Sequence, residues 1–278
     1  MDIWQAIILG IVEGVTEFLP ISSTGHLTII EKFMGFSIND PDITAFTAII
    51  QVGAVVATLL FLRKDIFRIG GAWFRGIFSS SKRNTDDYRF GWAIILGSIP
   101  IGIIGLAFKD QIETTLRSLW VVAFALIIWS FVMWLADYYA KLGRHEKDIT
   151  WKDTLIIGTV QCLALIPGIS RSGATMSAGL LRGFDRVTVT KLSFFLSIPA
   201  LFAAGVMQSV TQYQNISDGV GWVPTIVATI VSFVVAYSTV AWLLKFIANN
   251  SYMVFIVYRL ILGGALILLL ATGTIAAT

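Results

Sequence analysis

The sequence predicts an all-α integral membrane protein: six transmembrane helices plus two re-entrant helical hairpins, arranged as an inverted repeat. Three observations carry this reading. Of 278 residues, 56% are hydrophobic and only 13% charged, where a soluble domain has roughly a quarter charged, and the mean hydropathy is +0.80. The apolar residues gather into runs long enough to cross a bilayer as helix, which takes about 20 residues. Two further segments are apolar but broken at their centres, and they match each other.

The spans follow in order along the chain. Residues 43–62, 90–108, 118–136, 192–217 and 219–244 contain no charge, and 246–278 carries only Arg259. Gln51 in the first span is suited to a hydrogen bond between helices or into a cavity. Arg259 is a functional candidate because intramembrane charge is costly; its expected partner is a carboxylate such as Asp137, or a phosphate. Trp4, Trp92, Trp120, Trp151 and Trp222 near span ends read as interface anchors.

Of the two broken segments, 3–31 holds Glu13, Glu17, Pro20 and the run Ser22-Ser23-Thr24-Gly25-His26. Segment 154–181 has the same build, with Pro167-Gly168 ahead of Ser170-Arg171-Ser172-Gly173. Gly10-x-x-Glu13 aligns with Gly158-x-x-Gln161, and the two Ser/Gly runs align after a one-residue gap. Each segment precedes three spans, so one membrane domain divides into repeats 1–140 and 150–278. Non-helical backbone at membrane depth must line a cavity or be buried in protein, which favours hairpins over full crossings. The basic residues test this choice. With two hairpins, the loops 63–89, 139–152 and 182–191 and Lys245 share one side holding 15 Lys/Arg, against Lys32, Lys109 and Arg117 opposite; with full crossings the split is 11 to 7. The positive-inside rule prefers the hairpins and makes the basic side cytoplasmic. Both termini then lie outside, the second repeat is inverted, and the site falls near the midplane where the broken helices meet. Hairpin one enters from outside, which points the site to the outer face.

Other classes fall away on composition. A net charge of +3 is explained by topology and anionic lipid heads, and no basic arm with interleaved aromatics suggests nucleic acid. The single cysteine, Cys162, excludes an intramolecular disulfide or a cysteine metal cluster. The start, Met1-Asp2-Ile3-Trp4, lacks the basic region of a cleaved signal peptide, so the first segment is expected to remain. Gly10-x-x-x-Gly14 permits close helix approach within one chain or between two, the latter as a homodimer.

The chemistry concentrates in the broken segments. Glu13 and Glu17, four residues apart, share one face of a helix. Carboxylates at bilayer depth persist with a cation, a proton or a polar cavity, and hard divalent cations such as Mg2+ or Ca2+ prefer carboxylate oxygen. Ser22, Ser23, Thr24 and Gly25 offer hydroxyls and free backbone N–H groups at a helix start, and His26 adds an imidazole. Ser170, Ser172 and Gly173 repeat that arrangement, and Arg171 adds a forked phosphate donor. Acids for metal, Arg and N–H groups for phosphate, and a hydroxyl or imidazole for attack are parts for phosphoryl transfer.

The stretch Glu13-Gly-Val-Thr-Glu17-Phe-Leu-Pro20-Ile-Ser22-Ser23-Thr24-Gly25-His26 resembles the acidic E-x-x-x-E and S-S-T-G-H signatures of the bacterial undecaprenyl-diphosphate phosphatases, or bacitracin-resistance proteins. Pro167-Gly168-Ile-Ser170-Arg171-Ser172-Gly173 matches their P-G-x-S-R-S-G motif, and the span pattern agrees along the whole chain. The resemblance implies hydrolysis of undecaprenyl diphosphate to the monophosphate in the bacterial inner membrane, with a divalent cation. It thereby implies recycling of the lipid carrier for cell-wall peptidoglycan, and antibiotic resistance. It also implies that Glu17, Ser23, His26 and Arg171 stand at the reaction centre with Glu13 close by.

On this reading the polyprenyl diphosphate lies between the hairpin tips with its tail along the bundle. Ser23 attacks the terminal phosphorus with Glu17 or His26 as base; His26 as nucleophile and metal-activated water stay open. His145, in the charged run Arg144-His145-Glu146-Lys147, reads as a solvated loop residue. The alternative is a polyprenyl-phosphate flippase or other secondary transporter, which also uses inverted repeats and buried carboxylates. A structural scaffold would leave Glu13, Glu17 and Arg171 unexplained.

Overall fold

The computed structural model describes residues 1–108, 111–112 and 116–277. Among these the chain forms eleven helices longer than ten residues. They are α1 (Ile3–Thr16), α2 (Ser23–Phe33), α3 (Pro41–Phe61), α4 (Arg63–Phe78), α5 (Asp86–Ala107) and α6 (Leu119–Tyr138), then α7 (Trp151–Gln161), α8 (Arg171–Leu181), α9 (Arg186–Thr211), α10 (Trp222–Ile247) and α11 (Met253–Ala271). Six of them, α3, α5, α6, α9, α10 and α11, are long and apolar enough to cross a membrane. The protein is an all-α integral membrane protein.

The spans start where polar caps allow. Asp40 caps α3 with Pro41 in its first turn, Thr85 caps α5, Ser118 caps α6 and Asp185 caps α9. Such side chains take up N–H groups that a helix start leaves unpaired. Helices α5 and α9 therefore begin earlier than their uncharged cores, at Asp86 and Arg186. The stretch 63–89, expected as a loop, instead contains α4. Its charges alternate with Ile66, Phe67, Ile69, Trp73 and Phe74 at helical spacing, the pattern of a helix lying along an interface.

Helices α1 and α2 form one hairpin, α7 and α8 the other. The ends of the second meet: Arg182, just past α8, and Arg144 both donate to Asp153 in the first turn of α7, at 2.8 Å and 2.7 Å. Ala6 and Leu9 of α1 share a hydrophobic cluster with Ile30 and Met34 from the far end of α2. Packing repeats between the halves: α1 lies against α10 as α7 lies against α5, while α3 pairs with α9 and α6 with α11. Glycine permits both close crossings. A Cβ at Gly158 would sit 1.8 Å from the carbonyl oxygen of Gly97 in α5, and one at Gly10 would sit 2.5 Å from that of Ala228 in α10. Gly14 likewise seats on Ser232. The Gly10/Gly14 motif is thus used inside the chain.

Ion pairs gather the basic stretches at one end of the bundle. Arg68 pairs with Glu146 at 2.9 Å and with Asp87, Arg186 pairs with Asp137 at 2.7 Å, and His145 meets Asp185 at 2.8 Å. His145 is exposed there, as expected. Burial alone would raise the Asp153 carboxyl, but hydrogen bonds from Arg144, Thr150 and Arg182 outweigh it and hold it well below the usual carboxylate range. At the other end the Leu119 N–H donates to the carbonyl of Ala277, and Arg117 donates to Thr44. Lys109, counted with that end in the sequence, lies outside the described residues.

Candidate active site

The two hairpins meet tip to tip in the middle of the bundle. Each tip turns on a serine with positive φ, +75° at Ser22 and +77° at Ser170, a region that non-glycine residues rarely occupy. Each serine caps the helix after it, accepting from the Gly25 N–H at 3.3 Å and from the Gly173 N–H at 3.1 Å. Matching strain at matching positions has a physical cause: the backbone must reverse sharply while the side chain still reaches the third N–H. Such strain persists where surrounding structure enforces it, and it concentrates at functional sites.

The tips are locked together. Ser172 Oγ donates to the carbonyl of Leu19 at 2.8 Å, and Arg171 Nη2 donates to Glu17 Oε1 at 2.9 Å. The other oxygen of Glu17 accepts from Ser23 Oγ at 2.5 Å. This direct hydroxyl-to-carboxylate contact puts a proton acceptor within reach of the serine hydroxyl. Arg171 also donates to the Ser193 carbonyl at 3.3 Å. Serine from one tip, arginine from the other and a carboxylate between them form one connected unit.

This unit borders a cavity of about 530 Å3. Glu17, Ser22, Ser23, Thr24, Ser170 and Arg171 form its polar end, and Gln51 of α3 and Ser98 of α5 add hydrogen-bonding groups. Ile101, Leu106, Leu201 and Met207 make the rest apolar. The lining runs toward the C-terminal ends of α5 and α9, away from the ion-paired end. Ser23 and Thr24 at the start of α2 and Arg171 at the start of α8 belong to the polar end, where helix starts attract anions.

Other predicted residues have different places. Gly25, Ser172 and Gly173 are buried beneath the tips and support them without lining the cavity. His26 is also off the cavity lining. Its Nδ1 lies 2.7 Å from the Ser22 carbonyl and its Nε2 lies 2.7 Å from the Tyr258 hydroxyl, with the two rings stacked. A carbonyl only accepts, so Nδ1 carries a proton and donates to Ser22, while Nε2 shares a hydrogen bond with the Tyr258 hydroxyl.

Arg259 corrects an expectation. Asp137 pairs with Arg186 instead, and the Arg259 guanidinium is 0% exposed and meets no carboxylate among the described residues. It donates to Ser130 Oγ at 3.1 Å and to the carbonyls of Pro20, Ala125, Leu126 and Gly168 at 3.0–3.4 Å. Pro20 and Gly168 belong to opposite tips, so Arg259 clamps them to α6. A broken helix leaves carbonyls without partners, and a permanently charged fork satisfies several at once. Tyr258 and Ser98 were not singled out in the sequence: a lone hydroxyl on an apolar span is too common to signal a role.

Glu13 is buried beside Glu17 and off the cavity lining. It is 0% exposed, and among the described residues neither of its carboxylate oxygens has a hydrogen-bond donor. Gln161, its counterpart in the second hairpin, is equally buried with both amide atoms unpartnered. Two unclaimed carboxylate oxygens one helical turn from Glu17 suit a hard cation. No group of three or more His, Cys, Asp or Glu side chains gathers as a metal site among the described residues, so phosphate oxygens and water would have to complete a coordination shell.

Comparison with known proteins gives a consistent result. The family model for bacitracin resistance protein BacA matches residues 6–265. A protein of Frankia casuarinae named undecaprenyl-diphosphatase 3 is 67% identical over the full length of both chains. Undecaprenyl-diphosphatase of Cutibacterium acnes is 55% identical over the full length of both, and undecaprenyl-diphosphatase 1 of Streptomyces avermitilis is 50% identical over 99% of each.

Proposed function

The chain belongs to the bacitracin resistance protein BacA family, and from that premise we propose how its crossed hairpin tips carry out the reaction. The activity is hydrolysis of undecaprenyl diphosphate to undecaprenyl phosphate and inorganic phosphate, by a multi-pass membrane phosphatase. It recycles the lipid carrier of cell-wall synthesis and confers bacitracin resistance.

The observation that supports the mechanism most is the Arg171–Glu17–Ser23 unit at the polar end of the cavity. Arg171 and the helix-start N–H groups bind the diphosphate. Ser23 Oγ attacks the terminal phosphorus as the bridging P–O bond breaks. Glu17 takes the serine proton and passes it to the departing lipid phosphate. A water then attacks the phosphoserine, and Glu17 moves the water's proton to Ser23 Oγ, releasing inorganic phosphate. Arg171 orients Glu17 and stabilises charge on the transferring group. His26 acts through position: its ring ties the Ser22 turn to Tyr258 and so fixes Ser23 at the start of α2.

A divalent cation, Mg2+ or Ca2+, would be held by Glu17 on the cavity lining, with Glu13 buried beside it as the second carboxylate. When bound, it would supply charge neutralisation for the diphosphate. The opposite-end opening of the cavity and the clustering of basic stretches support re-entrant hairpins in an inverted repeat, both termini outside, and a site facing the outer side of the inner membrane. A homodimer loses its motif, since Gly10 and Gly14 pack on α10. The flippase alternative is not favoured: transport requires bound phosphate but no serine polarised by a carboxylate.

The test is phosphate release from undecaprenyl diphosphate by purified protein, with and without EDTA. Release abolished by EDTA and restored by Mg2+ or Ca2+ supports the reading. Full turnover by the Glu17→Ala/Arg171→Ala double variant sinks the site assignment.

A further inference from the structure

We propose that a second cavity, at the ion-paired end of the bundle between the starts of α5 and α7, binds the phosphate headgroup of an anionic phospholipid. This cavity, about 850 Å3, shares no lining residue with the catalytic one. Its lining is graded along α5: Arg89, then Trp92, then Leu96, at spacings of three and four residues that keep them on one face. The start of α7 adds Lys147, Trp151 and Lys152. Charge first, aromatic ring next and aliphatic chain last is the order a phospholipid presents from headgroup to tail, with Trp at the interface and Lys and Arg on anionic heads. Helix α4 sets the depth. Phe67, Phe74 and Phe78 are exposed along one side of it, as on a helix that lies among headgroups. Its Trp73 packs edge-on against Trp92, with 5.6 Å between ring centroids.

The charges select an anion. Three acids also line the cavity, but two are engaged: Glu146 accepts from Arg68 at 2.9 Å, and Asp148 accepts from the His145 backbone N–H at 2.9 Å. The third, Asp86, stands 3.8 Å from Arg89 with both side chains exposed, a pairing worth little in water and weaker than the fork a guanidinium offers to phosphate. Lys147 and Lys152 are exposed, and neither pairs with a carboxylate among the described residues; Lys152 lies over the Trp151 ring at 5.6 Å. Two uncommitted ammonium groups and a loosely held guanidinium converge on one cavity. A headgroup held by all three joins α5 to α7, the helices that cross at Gly97 and Gly158, so the lipid braces the second hairpin against its neighbouring span.

The experiment titrates the purified full chain in detergent with dioleoylphosphatidylglycerol or dioleoylphosphatidylcholine. Native mass spectrometry reads retained lipid, and thermal unfolding reads the stability that a bound lipid adds. The wild type is expected to hold the anionic lipid about tenfold or more tighter than the zwitterionic one, and to melt higher with it. A lysine beside an anionic head is worth about fivefold in affinity, so Lys147→Ala/Lys152→Ala should weaken phosphatidylglycerol about tenfold or more. Lys64→Ala/Lys245→Ala removes the same charge from exposed positions off the cavity and should stay within about twofold of wild type. Lipid-free melting of both variants close to that of the wild type verifies folding. Equal retention of the two lipids overturns the proposal, as does unchanged binding by Lys147→Ala/Lys152→Ala. Equal weakening in both double variants overturns it too, because diffuse attraction to a basic end then explains the binding. Independently, phosphatidylglycerol with a photoreactive headgroup should label Arg89 or the stretch 146–152. Labelling confined to other faces overturns the assignment whatever the variants do.

Discussion

The carboxylate of Glu17 serves two partners, Ser23 Oγ at 2.5 Å and Arg171 Nη2 at 2.9 Å, and Glu17→Gln separates its roles from its size. The amide keeps the shape but has one acceptor oxygen and one donor nitrogen. If the oxygen faces Arg171, the nitrogen faces Ser23 and cannot take its proton. If the oxygen faces Ser23, two donors collide at Arg171. Either orientation removes the general base, worth about 10²–10⁴-fold, and weakens a hydrogen bond between charged groups, worth about 1.5–3 kcal/mol. A fall in kcat of about 10³–10⁴-fold follows, equivalent to roughly 4–5.5 kcal/mol of barrier. KM should move less, because Arg171 and the backbone donors still bind phosphate. Steady-state phosphate release from undecaprenyl diphosphate measures both constants, and thermal unfolding in the same detergent reports whether the tips hold. A variant keeping more than a tenth of wild-type kcat refutes the base assignment.

Three other predictions concern what holds the site. Tyr258→Phe leaves His26 Nε2 without its hydrogen-bond partner, which costs about 1–3 kcal/mol of stability. Thermal unfolding should register that loss while kcat falls by less than tenfold; a loss as large as that of Glu17→Gln would move the imidazole into the chemistry. Gly158→Ala places a methyl 1.8 Å from the Gly97 carbonyl oxygen, and the separation of α5 from α7 should destabilise by about 2–3 kcal/mol. Gly70→Ala, with nothing within 4 Å of the added carbon, should be near neutral in the same melt, and equal effects would refute the packing argument. Asp153, held low by Arg144, Thr150 and Arg182, contributes stability above the ordinary carboxylate range near pH 4 that is lost as pH falls through its depressed value. Asp153→Asn should therefore lower stability at neutral pH by about 1–2 kcal/mol after solvent screening, with the gap closing in acid. A gap that widens below pH 4 would contradict the linkage.

Much of this architecture was legible because membranes impose simple rules. Twenty uncharged residues as helix are enough to mark each of the six spans. The count of Lys and Arg placed 63–89, 139–152 and 182–191 together, and Arg68–Glu146 and Arg144–Asp153 now join them. The hairpin tips were legible because Ser, Gly and Arg beside proline have no other use at that depth. What stayed hidden depends on partners distant in sequence. Asp137 was offered as a partner for Arg259 because charge seeks charge, yet it pairs with Arg186 and the broken helices supply carbonyls. His26 and Tyr258 are separated by 232 positions, and no local pattern pairs them. Helix α4 was hidden for another reason: its charges read as a loop, and only its apolar period announces a helix.

We propose that the two tips form one phosphatase site with Ser23 as the attacking group. Phosphate release from undecaprenyl diphosphate by purified wild-type protein beside Ser23→Ala tests it most directly. The wild type should show divalent-dependent turnover, reduced about 10³-fold or more in the variant, with lipid diphosphate still bound. Turnover by Ser23→Ala within tenfold of wild type would contradict it.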